Sequence, residues 1–242
     1  MKKKNIYSSS FHVLNADKFK NNIGLNKKVF WMMLNYINNS FPNFNVDKEL
    51  KLIKYIPSDI DVEHYWKILP KSTPVRILCD LFWIKLPWKQ LENDLKKVNI
   101  LDIGCGSASY FKRFDRYSHI EKNYIGVDIY QDENINNYKY DSKFKFQSLK
   151  LMNSDFICNH LNNEINVITS VFTLEHIEQD LRYIQCINDA IKKTKKEIIQ
   201  IHILPSSECL YYYFIHGIRQ YTRRTISKFT RIYDNSTSCF LV

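Results

Sequence analysis

The sequence predicts an α/β chain: a doubly wound parallel sheet over residues 97–242, preceded by an N-terminal helical cap over residues 1–96 and ending in a shortened C-terminus. Two observations predict it. Short apolar runs and helically spaced stretches alternate from residue 98 to residue 204, the pattern of strands joined by crossover helices. Acidic residues stand at the carboxyl ends of these runs, where an open α/β sheet keeps its ligand loops. The 242 residues, 45% hydrophobic and 14% aromatic, are enough to bury a core of this size.

Residues 1 to about 20 are polar. Val29–Ile37 (VFWMMLNYI) reads as a buried helix, because Met and Leu favour helix, and Pro42 stops it. Asp47–Tyr55 is a second helical candidate ended by Pro57, and Asp59–Lys67 a third. Val75–Ile84 suits a helix with Pro74 at its start and Pro87 as its breaker. Gln90–Lys97 leads into the central strand. No strand-like alternation dominates residues 1–96, hence the cap, which either closes over a ligand or packs on the sheet.

The stretch Val98–Ser109, VNILDIGCGSAS, is the centre of the chain. Val98, Ile100, Leu101 and Ile103 form a buried strand that runs into a Gly-rich turn. Tyr110, Phe111, Phe114 and Tyr117 then recur at helical spacing. Gly104 and Gly106 let the loop turn sharply and let a ligand approach the backbone. A dinucleotide site needs G-x-G-x-x-G, with the helix N-terminus open to a pyrophosphate. Here Ser109 stands at the third glycine position, and Asp102 at the strand end would repel a pyrophosphate. A ligand with a positively charged amino group suits this loop better.

Tyr124–Asp128 is the next strand, and its terminal carboxylate can accept both ribose hydroxyls of a nucleoside. Phe144–Leu149 and Ile165–Ser170 follow as strands, with Asp155 and Phe156 in the loop between them. Ile177, Leu181, Ile184, Ile187 and Ile191 trace one face of a helix. Glu175, Glu178 and Asp180 stand near its start and Lys192, Lys193, Lys195 and Lys196 at its end, as the helix dipole prefers. Glu197–Leu204 is the last strand of the series, closed by Pro205. Beyond it, Leu210, Phe214 and Tyr221 fall on one helical face. The final stretch, Arg231–Val242, supplies one strand and not a hairpin, which leaves the 197–204 strand with an unpaired edge that favours association with a second copy.

The net charge is +10, from 35 basic and 25 acidic side chains. It permits an anionic partner, although a Lys-rich solvated surface explains it better than any one such partner. Six scattered cysteines include no C-x-x-C pair, so no zinc site is expected and reduced thiols in a cytoplasm are the default. No apolar segment follows the basic Met1–Lys4 before Asn15, and no run of ~20 apolar residues is present, so neither a signal peptide nor a transmembrane segment is expected.

The D-x-G-x-G stretch from Asp102 resembles motif I of class I SAM-dependent methyltransferases. SAM, S-adenosyl-L-methionine, has an ammonium, a carboxylate, a sulfonium and no phosphate. Asp128 resembles the acidic position of motif II, and Leu174-Glu175-His176-Ile177 resembles the LEHI-type stretch of many small-molecule methyltransferases. The resemblance covers about residues 97–205. It implies a Rossmann-like sheet, SAM as cofactor, and Asp102, Gly104, Gly106, Asp128, Ile129, Asp155, Phe156 and Ser170 as cofactor-binding residues. Ile129 would flank the adenine, Asp155 would meet its amino group, and Phe156 would pack on the ring. A ubiquinone-pathway O-methyltransferase carries an acidic metal ligand where Phe172 stands here, so no metal is expected. His216–Thr222 and Leu81–Trp88 resemble methyltransferases of bacterial surface-polysaccharide synthesis.

The resemblance implies O-methylation of a small-molecule or glycan acceptor. His176 is the first candidate for a general base and His216 the second. Arg219 and Tyr221 are candidates to orient an anionic or sugar acceptor. Three rivals stand beside this reading. A nucleic-acid methyltransferase fits the charge, but no N/D-P-P-Y-type tetrapeptide follows Ile165–Ser170. A non-catalytic methyltransferase-like subunit that stabilises a partner fits the short C-terminus. A nicotinamide oxidoreductase is opposed by Asp102 and Ser109.

Overall fold

The computed structural model describes residues 26, 29, 30, 33, 34, 37, 46–48, 50–53, 55–68, 73–118, 120–148, 159–161, 165–177, 179–206, 220–233 and 239–241. In chain order its elements are β1 (Lys51–Ile53), α1 (Asp59–Ile68), α2 (Pro74–Lys85), α3 (Trp88–Leu95), β2 (Val98–Ile103), α4 (Ser109–Ser118), β3 (Lys122–Asp128) and a 3-10 turn at Glu133–Tyr138. They continue with β4 (Phe144–Ser148), β5 (Val167–Val171), a 3-10 turn at Leu174–His176, α5 (Asp180–Thr194), β6 (Ile199–Ile203), α6 (Arg223–Thr230) and β7 (Cys239–Leu241).

Five strands form one all-parallel sheet in the order β4-β3-β2-β5-β6, the Rossmann-like arrangement the sequence predicts. The chain starts at the central β2, winds outward through β3 and β4, then crosses back to β5 and β6. The direction of winding therefore reverses between β2 and β5, and the crevice for a ligand opens at the carboxyl ends of those two strands. Register puts Asp102 between Gly126 and Thr169, and Ser170 beside His202.

All six residues of β2 are buried, because helices cover both faces. On one face Val98, Ile100, Tyr124, Phe144 and Val167 meet Phe111 and Phe114 of α4, together with Ile77, Leu81 and Trp83 of α2 and Trp88 of α3. On the other, Leu101, Ile103, Val127 and Ile168 meet Leu181, Ile184 and Ile187 of α5 and Ile226 and Phe229 of α6. The first face is strongly aromatic: Trp83 packs edge-on against Phe114 at 4.8 Å and stacks on Trp88 at 6.1 Å, where ring pairs add to simple burial. The fully buried Asp80 carboxylate accepts both oxygens' bonds from Arg113, at 2.9 and 2.7 Å, and one from Tyr65 at 3.0 Å. That network ties α1 and α2 to α4, and satisfies a charge that would be costly to bury alone. Helix α2 starts as predicted: Pro74 is at its first position and Thr73 Oγ1 accepts from the Arg76 amide at 3.3 Å.

Several expectations are corrected. The candidate helix at Asp47–Tyr55 is not formed: Lys51–Ile53 is a strand that pairs in parallel with Cys239–Leu241. Its partner lies at the far end of the chain, which no local periodicity can reveal. The same pairing shows that the C-terminal strand joins β1 and not the main sheet, and that the N-terminal segment is not purely helical. The described residues of Val29–Ile37 are helical, but Val29, Phe30, Met33 and Ile37 are about half exposed instead of buried; propensity fixes the helix and says nothing of what covers it. Gln90–Lys97 is mostly helix α3. Tyr221 lies in a parallel bridge with Ser206, not in a helix; Leu210 and Phe214 lie outside the described residues. Among the described residues β6 pairs only with β5, and no helix is long and apolar enough to cross a membrane.

Candidate functional site

The loop after β2 is built from backbone that few side chains tolerate. Gly104 has φ +71°, Gly106 +52°, and Ala108 +54°. The amides of Gly104 and Cys105 both donate to the Val127 carbonyl, at 2.7 and 3.1 Å, which folds the loop over β3. The two glycines serve different ends. A Cβ on Gly104 would stand 2.1 Å from Cγ2 of Thr173, so the turn after β5 occupies that space. A Cβ on Gly106 would meet nothing within 4 Å: this glycine opens the backbone toward the crevice, as a cradle for a ligand requires.

Asp128 ends β3 at the rim of this loop. Its Oδ2 accepts from the Gly106 amide at 2.9 Å and its Oδ1 from the Tyr130 amide at 3.3 Å. The carboxylate is half-buried, so its remaining lone pairs face outward. Ile129, 49% exposed, adds a flat apolar patch beside it.

Asp102 is set differently. It is only 2% exposed, and its two oxygens accept from the Tyr124 hydroxyl and from Thr169 Oγ1, the latter at 3.0 Å. It is enclosed between β3 and β5. Burial pushes its pKa up to about 6; the hydrogen bonds from Tyr124 and Thr169 pull the other way, and the Asp128 carboxylate adds a smaller upward push. An acid raised in the folded state holds its proton where the unfolded chain has lost it. Its contribution to stability therefore falls as pH rises from about 4 through about 6. Neutral His202, pushed down to about 4 by burial, has the opposite slope over the same window. The clean measurement is thus a difference: pH-dependent denaturant unfolding of Asp102→Asn should lack the falling component, and gain stability relative to wild type as pH rises across that window.

On the β5 side, Ser170 is fully buried and its Oγ bonds His202 Nδ1 at 2.7 Å. Gln200 Oε1 accepts from Tyr233 at 2.7 Å and from His202 Nε2 at 3.2 Å. An oxygen that only accepts makes Nε2 the protonated nitrogen, so Nδ1 accepts from Ser170. Gln200 and His202, two residues apart on one strand, share a face of the sheet, which is the sequence signal for this pairing. Next comes Phe172, with φ +52°, an outlier for a bulky residue, which no residue pattern reveals. His176 closes the following 3-10 turn. Its imidazole is 45% exposed, and Nε2 stands 3.9 Å from an oxygen of the fully buried Glu175.

Gly104, Gly106, Asp128 and Ile129 thus lie at or after the ends of β2 and β3, Ser170 and His176 lie in and after β5, and Asp102 is buried within β2. Tyr221 is corrected: it is buried and its hydroxyl donates to Asp180 at 3.0 Å, so it braces α5 and does not meet an acceptor. Asp155, Phe156, His216 and Arg219 lie outside the described residues.

A methyltransferase-domain family profile matches residues 77–221, more than half of the chain. No curated protein matches it. Among solved structures, a SAM-dependent methyltransferase from Anabaena variabilis is 17% identical, covering 74% of this chain and 83% of that one, with a TM-score of 0.44. A Mesorhizobium loti SAM-dependent methyltransferase is 14% identical over 39% of this chain and 42% of that one, TM-score 0.29; the chain thus spans less than half of that relative. The Bordetella bronchiseptica enzyme WbmG, solved with NAD, is 10% identical over 57% and 50%, TM-score 0.37. These distant likenesses carry no argument about chemistry, which rests on the family match and the residues of the crevice.

Proposed function

The chain belongs to the methyltransferase-domain family, and from that premise we propose that it methylates a hydroxyl of a small-molecule or glycan acceptor with SAM as donor. The observation that carries the donor reading is Asp128, a half-buried carboxylate at the strand tip, held by the Gly106 amide beside an open glycine cradle. The residues present suit SAM and not a pyrophosphate cofactor: two carboxylates border the loop, and the ligand has an ammonium and no phosphate.

In this reading Asp128 accepts from the ribose hydroxyls and Ile129 covers the adenine. Gly106 lets the ligand approach the backbone, and the field of Asp102 favours the ammonium. Ser170, Asp155 and Phe156 are the remaining proposed cofactor-binding residues. Bound SAM supplies an electrophilic methyl group. The chain aligns the acceptor and takes its proton. His176 is the proposed base: its imidazole is 45% exposed, in the turn that follows β5. His216 is the second candidate, and Arg219 is proposed to orient the acceptor. The glycan preference rests on the Leu81–Trp88 and His216–Thr222 stretches; a cytoplasmic setting and self-association through the outer edge of β6 belong to the same proposal.

Incubating the protein with methyl-labelled SAM and with fractionated cell glycans, nucleotide sugars and RNA tests it. Label in a glycan or sugar fraction is expected. Label in RNA alone would replace this acceptor class with the nucleic-acid rival, and SAM binding with no transfer to any fraction would favour a partner subunit.

A further inference from the structure

We propose that the helical segment within residues 26–37 docks the chain onto an anionic lipid surface; the proposal stands apart from the methyltransferase reading. Residues 26, 29, 30, 33, 34 and 37 are helical. Val29, Phe30, Met33 and Ile37 are 52%, 54%, 55% and 48% exposed. At 3.6 residues per turn these four positions fall within an arc of about 100°, so they form one apolar stripe. A stripe of that width is what a helix ordinarily buries against its own domain. Here about half of each side chain stays in water.

The charge around the stripe selects its partner. Residues 1–37 contain seven lysines and one acidic residue, Asp17, and so carry six of the chain's ten net positive charges. Lys27 and Lys28 directly precede Val29, and no acidic residue occurs between Asp17 and Asp47. A solvated surface explains the lysines but not the apolar stripe beside them. A second copy of the chain would cover the stripe but bring lysine against lysine. A nucleic acid would use the lysines and leave the stripe in water. An anionic bilayer takes both: the stripe enters the boundary between headgroups and acyl chains, and the lysines meet the negative leaflet. As helix, residues 26–37 measure about 18 Å, against about 30 Å of hydrocarbon, so the segment lies in the interface. No described helix is long and apolar enough to cross a membrane.

Flotation of the full chain with lipid vesicles tests this. The wild type is expected to float with phosphatidylglycerol vesicles and not with phosphatidylcholine vesicles. Raised salt should release it, because screening shortens the reach of the lysines. Val29→Ser combined with Met33→Ser should weaken binding to phosphatidylglycerol at least about tenfold, since both remove apolar area that the bilayer covers. Lys27→Gln combined with Lys28→Gln keeps the stripe and should weaken binding by about fivefold per lysine. An unchanged thermal unfolding midpoint reports that each variant is folded, and either pair serves if the other does not fold. Flotation with both lipids alike, flotation with neither, or folded variants that float like the wild type would overturn the proposal. A dimer in sedimentation that Val29→Ser with Met33→Ser abolishes, without flotation, would overturn it in favour of a second copy. RNA bound without flotation would overturn it in favour of a nucleic acid.

Discussion

Replacing Asp128 with alanine is expected to weaken SAM binding by roughly 10²–10⁴-fold, as read by calorimetry. Hydrogen bonds to a charged acceptor are worth about 1.5–3 kcal/mol each, and a ribose offers two. The same carboxylate holds the Gly106 amide at 2.9 Å, so the substitution also loosens the cradle and adds to the loss. The core is untouched, because Asp128 lies at the rim of the sheet and belongs to neither hydrophobic cluster. A soluble, folded variant with the wild-type dissociation constant would count decisively against the assignment.

The second large effect is expected at His176. Loss of a general base costs roughly 10²–10⁴-fold in turnover, while SAM affinity should stay at the wild-type value, because proton removal matters only in the chemical step. Wild-type turnover should rise with pH through the imidazole titration, since only the neutral ring accepts a proton, and His176→Ala should lose that limb. His176→Ala with unchanged turnover per folded molecule would remove it from the mechanism. His216→Ala, run in parallel, identifies the alternative base: the variant that loses both rate and pH limb marks the residue that carries the proton.

Much of the sheet was legible because its strands carry local apolar residues, as a run in β2 and in alternation in β4 and β6. Val98–Ile103, Lys122–Asp128 and Phe144–Ser148 need no partner to be recognised, and the alternation of strands with helical spacing dictates a parallel sheet. The Gly-rich loop was legible too, since both glycines take a positive φ and a Cβ at position 104 would meet Thr173. What stayed hidden was non-local or conformational. The pairing of Lys51–Ile53 with Cys239–Leu241 joins opposite ends of the chain. The burial of Asp102 depends on Tyr124 and Thr169, which reach it only because β3 and β5 flank β2; as a strand-end carboxylate it reads like Asp128, yet Asp102 is buried and Asp128 only half-buried. The positive φ of Phe172 has no residue signature at all. Tyr221 was misplaced because an apolar spacing with Leu210 and Phe214 says nothing of a bond to Asp180.

The crevice between β2 and β5 is proposed to take SAM and not a pyrophosphate cofactor. Titrating SAM and NAD separately into the full chain by calorimetry tests it most directly. Saturable one-to-one binding of SAM, lost in Asp128→Ala, is expected, with no binding of NAD. Saturable binding of NAD with no heat from SAM would contradict it.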